Sequence, residues 1–164
     1  MKHSPHTVQT RHSSPLGPIV LAISHDAICG LWFDGQRHQP DGSAWPESPD
    51  HPVAKIARAQ LDEYFAGQRT AFDLPLDLSN GTAFQQDVWR ALLNIPAGAT
   101  RSYGAISTDI GRPAAVRAVG GAVGRNPLSI IVPCHRVIGA NGALTGYAGG
   151  LDRKIALLHL ESLH

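Results

Sequence analysis

Cys134 and His135 stand side by side in the stretch Val-Pro-Cys-His-Arg-Val. A thiol attacks carbon only as its thiolate, and a nearby imidazole or helix N-terminus eases the loss of its proton. In extended chain, neighbouring side chains point to opposite faces. His135 can therefore serve Cys134 only across a bend or through a bridging water, and Pro133, with its fixed φ, favours a bend there. Glu161 is the candidate third member. Leu151, Ile155 and Leu158 trace an apolar stripe along the last helical segment, and Glu161 extends it at i+3. A carboxylate on an inward face is costly unless paired, and a histidine that must hold one tautomer is a natural partner. The plainer readings are a buried structural cysteine beside a surface histidine, and a solvated helix end at Glu161.

A second constellation precedes the thiol. Ser102 can cap a short helix from Tyr103 to about Ile110. Gly111-Arg112 breaks it, and Pro113 opens another that runs to about Val123. Two helices across a short glycine-containing turn form a helix-turn-helix pattern. Ala115, Val116, Val119, Ala122 and Val123 make the inward stripe of the second helix. Its other face carries Ala114, Arg117, Gly121 and Gly124, with Arg125 beside it. Small residues there let a duplex lie close, and one projecting arginine suits a side chain inserted into the minor groove. An Ala/Gly-rich helix packed on another helix, with a solvated arginine, is the alternative.

These residues need a scaffold, and the chain has the means to build one. It holds 164 residues, 43% hydrophobic and 16% charged, enough for one compact domain or two small ones. The net charge is only +1, so any affinity for nucleic acid must come from a local face. Cys29 lies in an apolar, strand-like run and Cys134 in a polar motif, a pair that fits a reducing cytoplasm better than a disulfide framework. No run reaches the length of a membrane span, and the first residues lack a signal-peptide core.

Residues 19–24 and 27–33 read as a β-hairpin, with 7–12 as a possible third strand. A Pro- and Gly-rich loop over 36–49 follows. A helix then opens at Pro52 and carries Val53, Ile56, Ala57, Leu61 and Tyr64. Residues 74–78 alternate like an edge strand. Composition changes near Ser79-Asn80-Gly81, which sets the expected domains at 1–80 and 81–164. Thr82 and Gln85 form a capping box ahead of an apolar stripe of Phe84, Val88, Trp89, Leu92 and Leu93. An apolar run over 128–132 reads as a strand feeding Cys134. A glycine-rich loop and a closing helix from Leu151 to about Glu161 complete the chain.

The motif Ile131-Val-Pro-Cys-His-Arg-Val-Ile138 resembles the active-site motif of the O6-alkylguanine-DNA alkyltransferases. So do Ser102-Tyr-Gly, Arg117-Ala-Val-Gly-Gly-Ala122, Arg125-Asn-Pro127 and Gly146-Tyr-Ala-Gly-Gly-Leu151, in the family's order and spacing. The likeness runs from about Thr82 to Glu161 and is closest to the constitutive bacterial members. It implies a small ribonuclease-H-like α/β domain followed by a mostly α-helical domain with a helix-turn-helix. It also implies single-turnover DNA repair by a monomer, with duplex DNA carrying O6-alkylguanine as partner and no cofactor.

By resemblance, Cys134 is the alkyl acceptor, His135 takes its proton through a water, and Glu161 orients His135. Tyr103 crowds the target phosphate and donates to N3 of the leaving guanine. Arg117 fills the gap left by the flipped base, and Ala114 and Gly121 lie against the duplex. The carbonyls of Cys134 and Val137 accept from the guanine amino group. The backbone N–H groups of Tyr147 and Ala148 face O6 and the base edge. Asn126 is a structural hinge, and Arg136 is structural. Some relatives carry serine where this chain has Ala148, and some bind zinc in the N-terminal domain. A structural zinc normally needs four suitably spaced ligands, and this half has one cysteine, so no metal is expected despite nine histidines. Three competing readings make other predictions. A Cys-His-Glu hydrolase would turn over, a damage sensor would bind without transfer, and a transcription factor would read a sequence in the major groove.

Overall fold

The computed structural model describes residues 3–162. Three antiparallel strands open it, in the order β1 (Val8–Ser14), β2 (Gly17–Ser24) and β3 (Ala27–Phe33). His25 and Asp26, both with positive φ, form the tight turn between β2 and β3. That left-handed pair matches the twist of a two-residue hairpin. α1 (Pro52–Phe65) starts on Pro52 and buries Ala54, Ala57, Leu61 and Tyr64 against one face of the sheet. Ile56, expected on that stripe, is 52% exposed. The opposite face holds a small second core of Val20, Ala22, Cys29 and Trp32 beneath Trp45.

Each edge of this sheet is met at isolated positions. β1 is met by Glu47 opposite Gln9, and β3 by Leu76 opposite Ile28 and Leu128 opposite Leu31. The edge strand expected over 74–78 is thus a single bridge. Ile28 donates to the Pro75 carbonyl, but Pro75 has no N–H to continue the ladder.

The second half is mostly helical. α2 (Ala83–Leu92) begins at the capping box, with Thr82 and Gln85 each satisfying the other's backbone N–H. It buries Val88, Trp89 and Leu92 and leaves Leu93 exposed. The Trp89 indole donates to the Ala122 carbonyl at 2.8 Å and so fixes α2 to the second helix of the helix-turn-helix. A two-residue strand, β4 (Arg101–Ser102), leads into α3 (Tyr103–Asp109), where Ser102 caps Ala105. α4 (Val116–Gly124) starts three residues later than expected. Arg112 to Ala115 close a separate turn, Ala115 N–H to Arg112 O, and this turn absorbs Pro113 and Ala114. Of the expected inward stripe, Val119, Ala122 and Val123 are buried, while Val116 is exposed.

The 128–132 run is not a strand. After the bridge at Leu128 the chain turns, with Val132 N–H on Leu128 O and Ile130 at φ 75°. Ser129 still donates to the Leu31 carbonyl of β3, but beyond it the N–H groups of Ile131 and Val132 turn back onto Ser129 and Leu128. Beyond it lie β5 (Val137–Ile138), parallel to β4, and α5 (Leu151–Glu161). One apolar cluster runs through both halves, from Leu21 and Leu61 to Trp89, Val119 and Leu157. Each fully buried side chain of that size contributes about 1.5–3 kcal/mol, so the two halves are packed as one body. No helix among the described residues is long and apolar enough to cross a membrane.

Candidate active site and DNA-facing helix

The turn that replaces the expected strand presents the thiol. Asn126, buried, donates from Nδ2 to the carbonyls of Val132 (2.8 Å) and Leu128 (3.4 Å) and accepts from the Leu128 N–H (3.0 Å). One amide thereby ties the end of α4 to the segment before Cys134. Pro133 then opens a single 3-10 turn over Cys134–Arg136. The backbone bends between Cys134 and His135, and both side chains are buried.

Behind the thiol lies a closed ionic cluster. His135 Nε2 lies 2.7 Å from Glu161 Oε2. Arg136 grips both oxygens of that carboxylate at 2.8 Å and donates through its third nitrogen to the Ile95 carbonyl. Tyr64, from α1, donates to Glu161 Oε2 at 2.6 Å. Burial raises the Glu161 pKa, but the hydrogen bonds from Arg136, His135 and Tyr64 and the charge of His135 outweigh it and hold it at about 2. Burial holds His135 below its ordinary value despite Glu161. With Nε2–H committed to the carboxylate, Nδ1 is the basic nitrogen, and it is buried without a protein partner.

The Cys134 pKa is pushed up to about 11 by burial, against the opposing pull of Asn126 and Lys154. Such a thiol is ionised in on the order of one molecule in ten thousand at pH 7. A thiol held this high needs a base to take its proton as the sulfur attacks, the part expected of His135.

Glu161 is inward, but not on the expected stripe. α5 buries Lys154, Leu157 and Glu161, while Leu151 and Ile155 are 44% and 46% exposed. Lys154 is fully buried and donates to the carbonyls of Val137 (2.7 Å) and Thr145 (3.2 Å). It pins the two walls of the site together.

Cys134 opens into a cleft of about 410 Å³ that also meets Tyr103, Gly121, Tyr147, Ala148 and Arg37. The Tyr103 hydroxyl is paired with Thr145 Oγ1 at 2.9 Å. The Val137 carbonyl already holds Lys154, and the Cys134 carbonyl holds the Val137 N–H, which leaves each one lone pair for a ligand. The N–H groups of Tyr147 and Ala148 donate to no backbone acceptor among the described residues. Ala148 is fixed instead through its carbonyl, by the Arg37 N–H at 3.0 Å. At the mouth, burial and then the charges of Arg125 and Arg37 hold His38 below its ordinary pKa. The mouth is thus locally cationic on a nearly neutral protein. Beside it, Arg117 and Gly121 are exposed, and a side chain at Gly121 or Gly124 would meet open space. Ala114 is exposed too, but in the turn before α4.

Comparison with known families decides what this arrangement is. The DNA-binding domain of 6-O-methylguanine DNA methyltransferase matches residues 83–163, and the ribonuclease-like domain of the same protein type matches residues 8–78. The chain belongs to the 6-O-methylguanine DNA methyltransferase family. The methylated-DNA–protein-cysteine methyltransferase of Mycobacterium tuberculosis is 55% identical over 148 residues, covering 90% of this chain and 88% of its own. The constitutive enzyme of that name from Bacillus subtilis is 48% identical over 158 residues, 94% of either chain. The crystal structure of the M. tuberculosis O6-methylguanine methyltransferase superposes with a TM-score of 0.88 at 51% identity, over 96% of this chain and 93% of that one. The same protein in complex with DNA gives 0.86.

Within this family architecture, sequence reading missed Lys154, Tyr64, Arg37 and His38. Tyr64 reads as an ordinary core aromatic and Lys154 as a solvated lysine. Arg37 and His38 sit in a loop with no periodicity. Only contacts distant in sequence give these four their places. Among the described residues, no group of three or more His, Cys, Asp or Glu is arranged to hold a metal ion.

Proposed function

We propose that this protein repairs DNA by direct reversal, moving the alkyl group of O6-alkylguanine onto Cys134. The observation that carries this reading is a buried thiol in a base-sized cleft, backed by an imidazole on a buried carboxylate and bordered by an exposed helix of small residues. The thiol proton passes through a bridging water to His135 Nδ1, which has no protein partner, as Sγ attacks the alkyl carbon in line. The C–O bond breaks with its electron pair going to guanine. A donor at N3 neutralises that leaving group and lowers the barrier, and Tyr103 supplies it by turning from Thr145. The thioether has no group to hydrolyse it, so each molecule reacts once. The two free buried cysteines fit work in the reducing cytoplasm. The domains divide at 80/81, where the two matched segments leave a gap between 78 and 83.

The test is incubation with a duplex oligonucleotide bearing labelled O6-methylguanine. Label reaches the protein in a one-to-one limit. Continued turnover, or none, defeats the reading. A Cys-His-Glu hydrolase would give the former, and a damage sensor the latter.

Arg117 acts as a wedge rather than a reader of base edges. It projects alone from a face of small residues, and flipping costs a few kcal/mol that something must offset. Arg117→Ala therefore slows transfer strongly from duplex DNA and much less from the free alkylated base. Equal slowing on both substrates would assign Arg117 to the fold instead. A major-groove reader would show another pattern, a relaxed sequence preference of about 1–3 kcal/mol at one position.

A further inference from the structure

Oxygen Oε2 of Glu161 accepts three donors: His135 Nε2 at 2.7 Å, Arg136 Nη2 at 2.8 Å and the Tyr64 hydroxyl at 2.6 Å. Two of these belong to the same turn as Cys134. The third comes from α1, 97 residues away in sequence and on the other side of the shared core. We propose that Tyr64 is a positioning residue of the transfer reaction, setting the basicity and tautomer of His135 through Glu161, so that the N-terminal half completes the proton path. The inference rests on the assignment of Cys134 as acceptor.

Packing alone does not call for a hydroxyl here. The Tyr64 ring is 2% exposed and lies against Phe65 and Phe72, with centroids 5.3 and 5.4 Å away. A phenylalanine would fill the same space. A buried tyrosine hydroxyl needs a partner, and the partner is the one oxygen on which His135 rests. Donors that share an oxygen compete for its charge. With Tyr64 in place, Glu161 is a weak base, His135 keeps its Nε2 proton, and Nδ1 stays free to take the proton of Cys134. Burial, then Glu161 itself, keeps the Tyr64 proton in place, with its pKa raised well above the ordinary value. The groups that bear on His135 are Glu161 and Lys154 from α5, Arg136 and Cys134 from its own turn, and Tyr64 through Glu161.

Removing the Tyr64 hydroxyl leaves more negative charge facing His135 and favours the imidazolium, so the His135 pKa rises. The rate needs neutral His135. In the full-length Tyr64→Phe variant, the acid limb of the single-turnover rate moves up by roughly half to one pH unit. Transfer below that limb slows by about three- to tenfold, since one unit of pKa is a factor of ten. Nitrogen-15 resonances of His135 report the same upward shift without any chemistry. 3-Fluorotyrosine at position 64 keeps ring and donor but donates more strongly, and it moves both readouts down. Uniform slowing at every pH, with the His135 titration unmoved in both variants, overturns the proposal and leaves Tyr64 a packing residue. If the wild type transfers no label, the acceptor assignment falls, while the imidazole titration still decides whether Tyr64 tunes His135.

Discussion

Cys134→Ser binds duplex DNA as the wild type does and transfers nothing. The substitution removes one sulfur at a site where the thiol is already 4% exposed, so the cleft and the face of α4 keep their shape. The chemistry does not survive. A serine hydroxyl holds its proton far more tightly than a thiol, and the neutral hydroxyl is a poor nucleophile toward an alkyl carbon. The expected loss exceeds about a thousandfold. The measurement pairs an electrophoretic binding assay with label transfer from the oligonucleotide. Label on the serine variant would point to Cys29, the other thiol of the chain. That outcome conflicts with its setting. Cys29 is 1% exposed in the small core on the far face of the sheet and does not line the cleft that Cys134 meets.

Glu161→Gln lowers both stability and transfer. In the wild type, the carboxylate accepts from Arg136 at both oxygens and from His135 and Tyr64 at one. Every partner is a donor, so an amide must set its own N–H groups against one of them and leave Arg136 uncompensated. Breaking a buried pair in this way costs about 3–5 kcal/mol, a large share of a stability of about 5–15 kcal/mol. Urea unfolding at pH 7 measures it. A change smaller than about 1 kcal/mol would mean that the cluster is not ionic. The pH dependence gives a second signature. The folded pKa of Glu161, about 2, lies below its ordinary 4.5. Its contribution is complete above 4.5 and is lost as pH falls toward 2. That loss amounts to roughly 3 kcal/mol. His135, also held below its ordinary 6.5, adds a loss of the same sign as pH falls below 6.5. The glutamine variant loses the step between 4.5 and 2.

The sequence carried the site's chemistry better than its supports. Adjacency pointed to Cys134 and His135, the small-residue face of the second helix to Arg117, and the family resemblance to Tyr103 and Asn126. Glu161 was reached through a stripe of Leu151, Ile155 and Leu158, the first two of which face solvent. The true inward stripe includes Lys154. Hydropathy assigns lysine to the surface, because the carbonyls of Val137 and Thr145 that satisfy its ammonium become neighbours only after folding. The same limit hid Tyr64 and Arg37, whose partners Glu161 and Ala148 lie about a hundred residues away in the other half of the chain. The 128–132 run misled for another reason. Its apolar β-branched residues are buried as a strand's would be, but Asn126 curls the backbone and Ile130 takes a left-handed conformation. Capping and turn chemistry, which act over three or four residues, were legible at Thr82, Ser102 and Pro52.

The β3 margin of the small sheet is covered at Leu76 and Leu128, and Leu128 belongs to the segment that Asn126 holds in place. An unsealed strand offers its backbone to any other chain, the usual first step toward aggregation. Loosening that segment, by substitution or by pressure from a bulky group at Cys134, would bare the margin of β3. The architecture therefore couples strain at the reacting centre to colloidal stability.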